Sequence, residues 1–132
     1  MHSTAYEPEY AEGIRHFNAR DFFEAHEAWE AVWVRTTGHD RLFYKGLIHA
    51  AVALHHFGNG NLRGARKVIA SCVQYLTPYV PRHLGLDVQG FLAQMQRCFA
   101  DLAAADEPAR GARLDEALIP DIAIDPAPAA KE

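Results

Sequence analysis

A chain of 132 residues is long enough for one domain with its own core and too short for two comfortable ones. Hydrophobic residues make up 49% and charged residues 23%, an ordinary globular balance that excludes a disordered or fibrous chain. The formal charge of −4 gives no pull toward nucleic acid or an anionic membrane, and no apolar run approaches the roughly 18 residues that span a bilayer.

Residues 1 to 7 read as a frayed start, without the apolar stretch of a secretion signal, so the expected setting is the cytoplasm. Pro8 suits a first helical turn, and Tyr10, Ile14 and Phe17 recur at helical spacing up to Asn18. Asp21, with Glu24 three residues on, has the form of a capping box for a helix running to about Arg35, which Gly38 stops. Asp40 is a good cap for the next helix, whose apolar residues from Leu42 to Phe57 cover nearly its whole circumference. Such a helix belongs in the middle of a bundle. Gly46 and Ala53 would let a neighbour approach it closely, and Lys45, His49 and His56 share that side.

Gly58-Asn59-Gly60-Asn61 is a turn, and Asn61 can cap a fourth helix with the inner stripe Leu62, Ala65, Ile69, Cys72 and Leu76. Pro78 and Pro81 end it. Asp87 caps a fifth helix with the stripe Val88, Phe91, Leu92, Met95, Phe99 and Leu102. Cys72 and Cys98 fall on these stripes without metal-type spacing and read as buried free thiols. One more short turn is expected between Ala112 and Leu118. No segment alternates as a strand does, and no repeat is visible. The expected architecture is all-α, a compact orthogonal or antiparallel bundle of five to six helices over residues 1–119. Residues 120–132 form an extended, Pro-rich tail, with Ile122 and Ile124 placed to dock on the bundle and the last residues mobile.

The chemistry concentrates in Asp21 to Trp33, DFFEAHEAWEAVW. At about 100° per residue, Phe22, Trp29 and Trp33 share one narrow stripe, with His26 in its middle and Glu30 beside it. Glu27 lies at the edge of that face, while Glu24, Ala28 and Ala31 point away. Imidazole and carboxylate within an apolar stripe are costly unless paired, hydrogen-bonded or bound to a metal. Three readings compete. In the first, His26 and Glu30 pair along their helix and a neighbouring histidine or an arginine such as Arg63 completes a structural network. In the second, His26-Glu27-x-x-Glu30, close in form to the H-E-x-x-H zinc helix, holds a divalent metal such as zinc, iron or manganese. His56, or less well His49, then supplies a third ligand, and Glu27 acts as a base or orients a ligand. In the third, the same residues form a metal-free acid–base or small-ligand pocket. No serine sits on an elbow motif, so no nucleophile is identified. Gly58 to Asn61 could hold an anion before a helix N-terminus, but it lacks the P-loop lysine, and a turn explains it. His39 and His83 fall in loops and are expected to be solvated.

The ordered set Phe22-Phe23-Glu24-Ala25-His26-Glu27-Ala28-Trp29-Glu30-Ala31-Val32-Trp33, Gly46-Leu47-Ile48, Ala53-Leu54-His55-His56, Gly60-Asn61-x-x-Gly64-Ala65 and Gly85-Leu86-Asp87 resembles the prokaryotic "domain of unknown function 309" family. The resemblance covers roughly residues 14 to 95. It implies a compact helical bundle with no established activity, and a polar signature at His26, Glu27, Glu30 and His56. It also implies that His49, where the family more often has glutamine, is a weaker ligand than His56. The expectations are therefore that His26, Glu30 and His56 converge, with Glu27 nearby. The site they form would be a divalent-metal or small-ligand pocket of hydrolase-like potential. The rival is a structural or interaction protein in which the cluster fixes helix packing. No nucleic-acid or membrane partner is expected, and self-association is open.

Overall fold

The computed structural model describes residues 6–104 and 112–126. The proposed mobility of the last residues and the frayed residues before Tyr6 lie outside that range. Six α-helices occur among the described residues: α1 (Pro8–Asn18), α2 (Phe22–Trp33), α3 (Arg41–Gly58), α4 (Leu62–Leu76), α5 (Val88–Cys98) and the short α6 (Ala100–Ala104). Turns of 3-10 helix cover Thr77–Tyr79 and Glu116–Leu118. Between α4 and α5 the chain makes a tiny hairpin, β1 (Arg82–His83) against β2 (Leu86–Asp87), antiparallel, with Arg82 opposite Asp87. The chain is an all-α bundle.

The local signals act where they were expected, with two exceptions. Asn61 accepts from the Gly64 N–H at 3.0 Å and Asp87 from the Gly90 N–H at 2.9 Å, so each satisfies one of the orphan donors that start a helix. Gly38, Gly60 and Gly85 take the left-handed conformation at the turns. Asp21 and Asp40 precede α2 and α3, yet neither side chain makes a cap bond. Asp40 has another partner, described below.

α3 packs against both α2 and α4, and α1 packs against α2 while its Tyr10 reaches the Phe43 and Tyr44 rings of α3. Phe43, Leu47, Ala50, Ala51 and Ala53 of α3 are fully buried, as a central helix requires. Gly46 makes the α3–α4 approach possible, because a Cβ there would meet the Leu76 side chain. Gly13 does the same between α1 and α2, since a Cβ would strike the Trp29 ring. That ring is sealed inside, and its Nε1–H donates to the Tyr10 carbonyl at 3.1 Å.

The expected fifth helix is broken at Phe99. The Cys98 carbonyl accepts the Asp115 N–H at 3.3 Å, and the returning chain thereby takes an acceptor that a continuous helix would use itself. After the Glu116–Leu118 turn the chain runs extended across the bundle. Asn18 clasps Ile122 at two points, accepting its N–H at 2.7 Å and donating to its carbonyl at 2.9 Å. Asp125 pairs with Arg82 at 2.8 Å. Ile122 is buried and Ile124 packs on the core edge.

Candidate functional site

The side of α2 that faces the bundle is set by Ala25, Ala28, Trp29 and Val32, all buried. That direction lies roughly 70° from the centre of the stripe defined by Phe22, Trp29 and Trp33, at about 100° per residue. The sequence reading put Ala28 on the outside; it is 8% exposed. The physical reason is close approach: α2 is pressed between α1 and α3, and small side chains let both neighbours come near. Phe22 and Trp33 consequently sit at the margins of the interface. His26 is carried to its rim and Glu30 into solvent, with side-chain exposures of 21% and 54%. Glu27 is exposed. The polar cluster is therefore not buried, and no polar or charged residue among the described ones is.

The geometry of the pair is nonetheless specific. His26 Nδ1 is 3.0 Å from the Phe23 carbonyl oxygen, an atom that can only accept, so Nδ1 carries the proton in the neutral ring. Nε2 is left with its lone pair toward Glu30 Oε1 at 3.9 Å. That separation is too long for a hydrogen bond. The helix-three histidines are committed elsewhere. His55 Nε2 lies 3.1 Å from the Asn59 amide and His56 Nδ1 3.3 Å from the Asn61 amide, so both imidazoles pin the turn that follows α3. Phe23 packs against both His26 and His55, at ring distances of 5.3 and 5.5 Å. Among the described residues, no three His, Cys, Asp or Glu side chains gather as a metal-binding group. Hence His26, Glu30 and His56 do not form a preassembled triad.

His49 belongs to a different grouping. Its ring stands edge-on to Tyr75 of α4 at 5.1 Å, and its Nδ1 is buried without a partner. Burial, with a smaller contribution from the Lys45 ammonium, holds its pKa below the usual histidine value. The Lys45 ammonium lies over the Trp33 ring at 5.6 Å and the Tyr75 ring at 5.2 Å, and Arg41 caps the Trp33 ring at 4.2 Å. Trp33 Nε1 is, among the described residues, a second buried side-chain atom without a partner. Sequence reading assigned Trp33 to the core and gave Lys45 and Tyr75 no role. The available signal was Arg41, Lys45 and His49 at successive intervals of four on one helix.

A cleft of about 560 Å³ opens where α2 begins and α3 ends, lined by Asp21, Phe23, Glu24, His55, Asn59 and Glu116 among others. The cysteines supply no nucleophile to any cleft. Both are buried, and burial raises the Cys72 thiol to about 12 and the Cys98 thiol to about 11.

His83 is not a solvated loop residue. Its Nε2 is 2.7 Å from Asp40 Oδ1, and its ring packs 4.8 Å from both Phe43 and Tyr79. This contact explains why Asp40 does not cap α3, and it ties the hairpin to the start of that helix.

A family model described as Domain of unknown function (DUF309) matches residues 10–68. The chain is also 30% identical to the uncharacterized protein YpuF of Bacillus subtilis (strain 168) over 122 residues, covering 85% of this chain and 70% of that protein. It belongs to the DUF309 family. A second relative, an uncharacterized protein of Aquifex aeolicus (strain VF5), is 41% identical over 54 residues, which is 40% of this chain and 16% of that protein. The DUF309 match spans α1, α2, α3 and the first half of α4. It therefore contains His26, Glu27, Glu30, Trp33, Lys45, His49 and His56, and leaves out Tyr75 and His83. No helix among the described residues is long and apolar enough to cross a membrane.

Proposed function

We propose that this protein is a ligand-binding module whose His26–Glu30 pair takes up a divalent cation at the solvent-facing rim of α2. The supporting observation is the fixed imidazole: Nδ1–H is given to the Phe23 carbonyl, and Nε2 is left open beside a carboxylate that does not bond to it. Metal-ligating histidines are characteristically oriented by such a bond from the other ring nitrogen. Ligand bonds of about 2.0–2.2 Å need the nitrogen and oxygen slightly closer than they stand, which a small rotation of the exposed Glu30 supplies. Water or a bound small molecule fills the remaining coordination positions, since neither His49 nor His56 joins the pair. A purely structural role fits less well. A half-exposed ion pair four residues apart contributes only about 0.3–0.5 kcal/mol, too little to set how the helices pack.

Calorimetric titration of chelator-treated protein with zinc and with manganese tests this reading. The expected outcome is weak binding of at least one metal, reduced at least about tenfold in both His26→Ala and Glu30→Gln. Each variant should melt as the parent does without metal. Binding that is absent, or unchanged in the two variants, defeats the proposal.

A further inference from the structure

Among the described residues, the two buried side-chain atoms without a partner are nitrogens of the α2–α3 rim, and a lysine ammonium lies close to both residues. Trp33 contributes a buried Nε1–H with no acceptor, and His49 a buried Nδ1 with no partner. Lys45 contributes an ammonium that rests on the Trp33 and Tyr75 rings and makes no ion pair among the described residues. Buried polar atoms are nearly always satisfied, and each one left unpaired costs about 1–3 kcal/mol. Trp33 and Tyr75 both lie under the Lys45 ammonium and the His49 ring stands against Tyr75, so the two unpaired atoms belong to residues gathered around one cationic side chain. Arg41 adds charge over the same Trp33 ring, with its Nη1 bonded to the Trp33 and Thr36 carbonyls at 3.1 and 3.0 Å.

We infer that this rim binds an oxyanion, the carboxylate or phosphate group of a small molecule, held by the Lys45 ammonium and the Trp33 indole N–H with His49 beside them. An ammonium and an N–H without acceptors have as their chemical complement a group that only accepts and carries negative charge. The Lys45 arm is the movable wall. It is a flexible four-carbon stem on a helix surface, and its swing off the two rings exposes the nitrogens that solvent does not now reach. The inference is independent of the metal reading, since it uses neither His26 nor Glu30.

The chain has two tryptophans, so its indole N–H resonances in a nitrogen-15 correlation spectrum number two, and Trp33→Phe assigns them. Trp29 is the internal control, buried and already bonded to Tyr10. Inorganic phosphate and acetate are titrated separately at constant ionic strength set by sodium chloride. The expected result is a saturable shift of the Trp33 signal with one or both anions, while the Trp29 signal stays still. Phosphate alone or acetate alone identifies the group recognised. Lys45→Gln should weaken the response at least about tenfold, the loss of one charge-assisted hydrogen bond, and Lys45→Arg should keep most of it. A Trp33 signal indifferent to both anions overturns the inference, because a resident water then satisfies the indole. Equal shifts with chloride, or an undiminished response in Lys45→Gln, overturn it as well.

Discussion

Trp29 and Trp33 stand four residues apart on α2, and their surroundings are opposite. Trp29 is fully enclosed between α1 and the core, its ring admitted by Gly13 and its N–H bonded to Tyr10. Trp33 is half-buried at the other seam, its N–H unpaired and its ring covered by the cations of Arg41 and Lys45. The same residue type on the same helix thus builds structure at one position and leaves binding capacity at the other. What distinguishes them is whether the polar edge of the ring was given a partner. A fully satisfied aromatic holds packing, and an unsatisfied one at a rim keeps a donor to offer.

Truncation should separate the two most strongly. Trp29→Ala is expected to lose about 3–5 kcal/mol, because it opens a large cavity in the sealed core. Trp33→Ala should cost about 1 kcal/mol, since the area lost is partly exposed and an unpaired donor is removed with it. Denaturant midpoints measured on both variants decide the matter, and equal losses would mean that the seams do not differ.

Gly13→Ala attacks only the first seam, from the opposite side. A methyl group there collides with the Trp29 ring, and the neighbouring helix must move to admit it. Overpacking of this kind costs about 1–3 kcal/mol, against the roughly 1 kcal/mol that alanine gains over glycine in a helix. The expected net effect is destabilisation, with the Trp29 indole resonance displaced and that of Trp33 unmoved. A stabilised variant would show that Gly13 is not what lets the ring in.

Much of this organisation was legible in the sequence. Caps at Asn61 and Asp87, the turn glycines and the stripes of α4 and α5 are local signals that tertiary contact did not override. The inward direction of α2 was not legible. Hydrophobicity alone makes two tryptophans outweigh two alanines, whereas a helix squeezed between two others buries whatever lets them come close. That rotation brought His26 and Glu30 out of the core on which the sequence reading placed them. The Asp40–His83 contact was hidden for another reason. Its partners are 43 residues apart, and each had a sufficient local explanation, one as a cap and the other as a loop residue. The break at Phe99 likewise depends on a carbonyl claimed by a residue 17 positions on.

The second seam also makes a prediction about pH, smaller than the others. His49 has its pKa below the unfolded value of about 6.5, chiefly through burial and secondarily through Lys45. As pH falls below about 6.5 the unfolded chain takes up a proton that the folded chain refuses, so folding loses stability. The loss stops once pH has passed the lower folded pKa, and above about 6.5 the residue contributes nothing to the slope. Lys45 and Tyr75 face it from α3 and α4, and the comparison with His49→Gln isolates the share of the slope that belongs to this imidazole. Comparison of denaturant midpoints at pH 7.5 and 5.5 should therefore show a fall in the parent that is smaller in His49→Gln. Lys45→Gln should retain most of the fall, because burial is the first cause and that substitution leaves it in place. A pH dependence unchanged in His49→Gln would mean that the imidazole at this seam is as well solvated as one in the unfolded chain, and the contrast with the Trp29 seam would then rest on Trp33 alone.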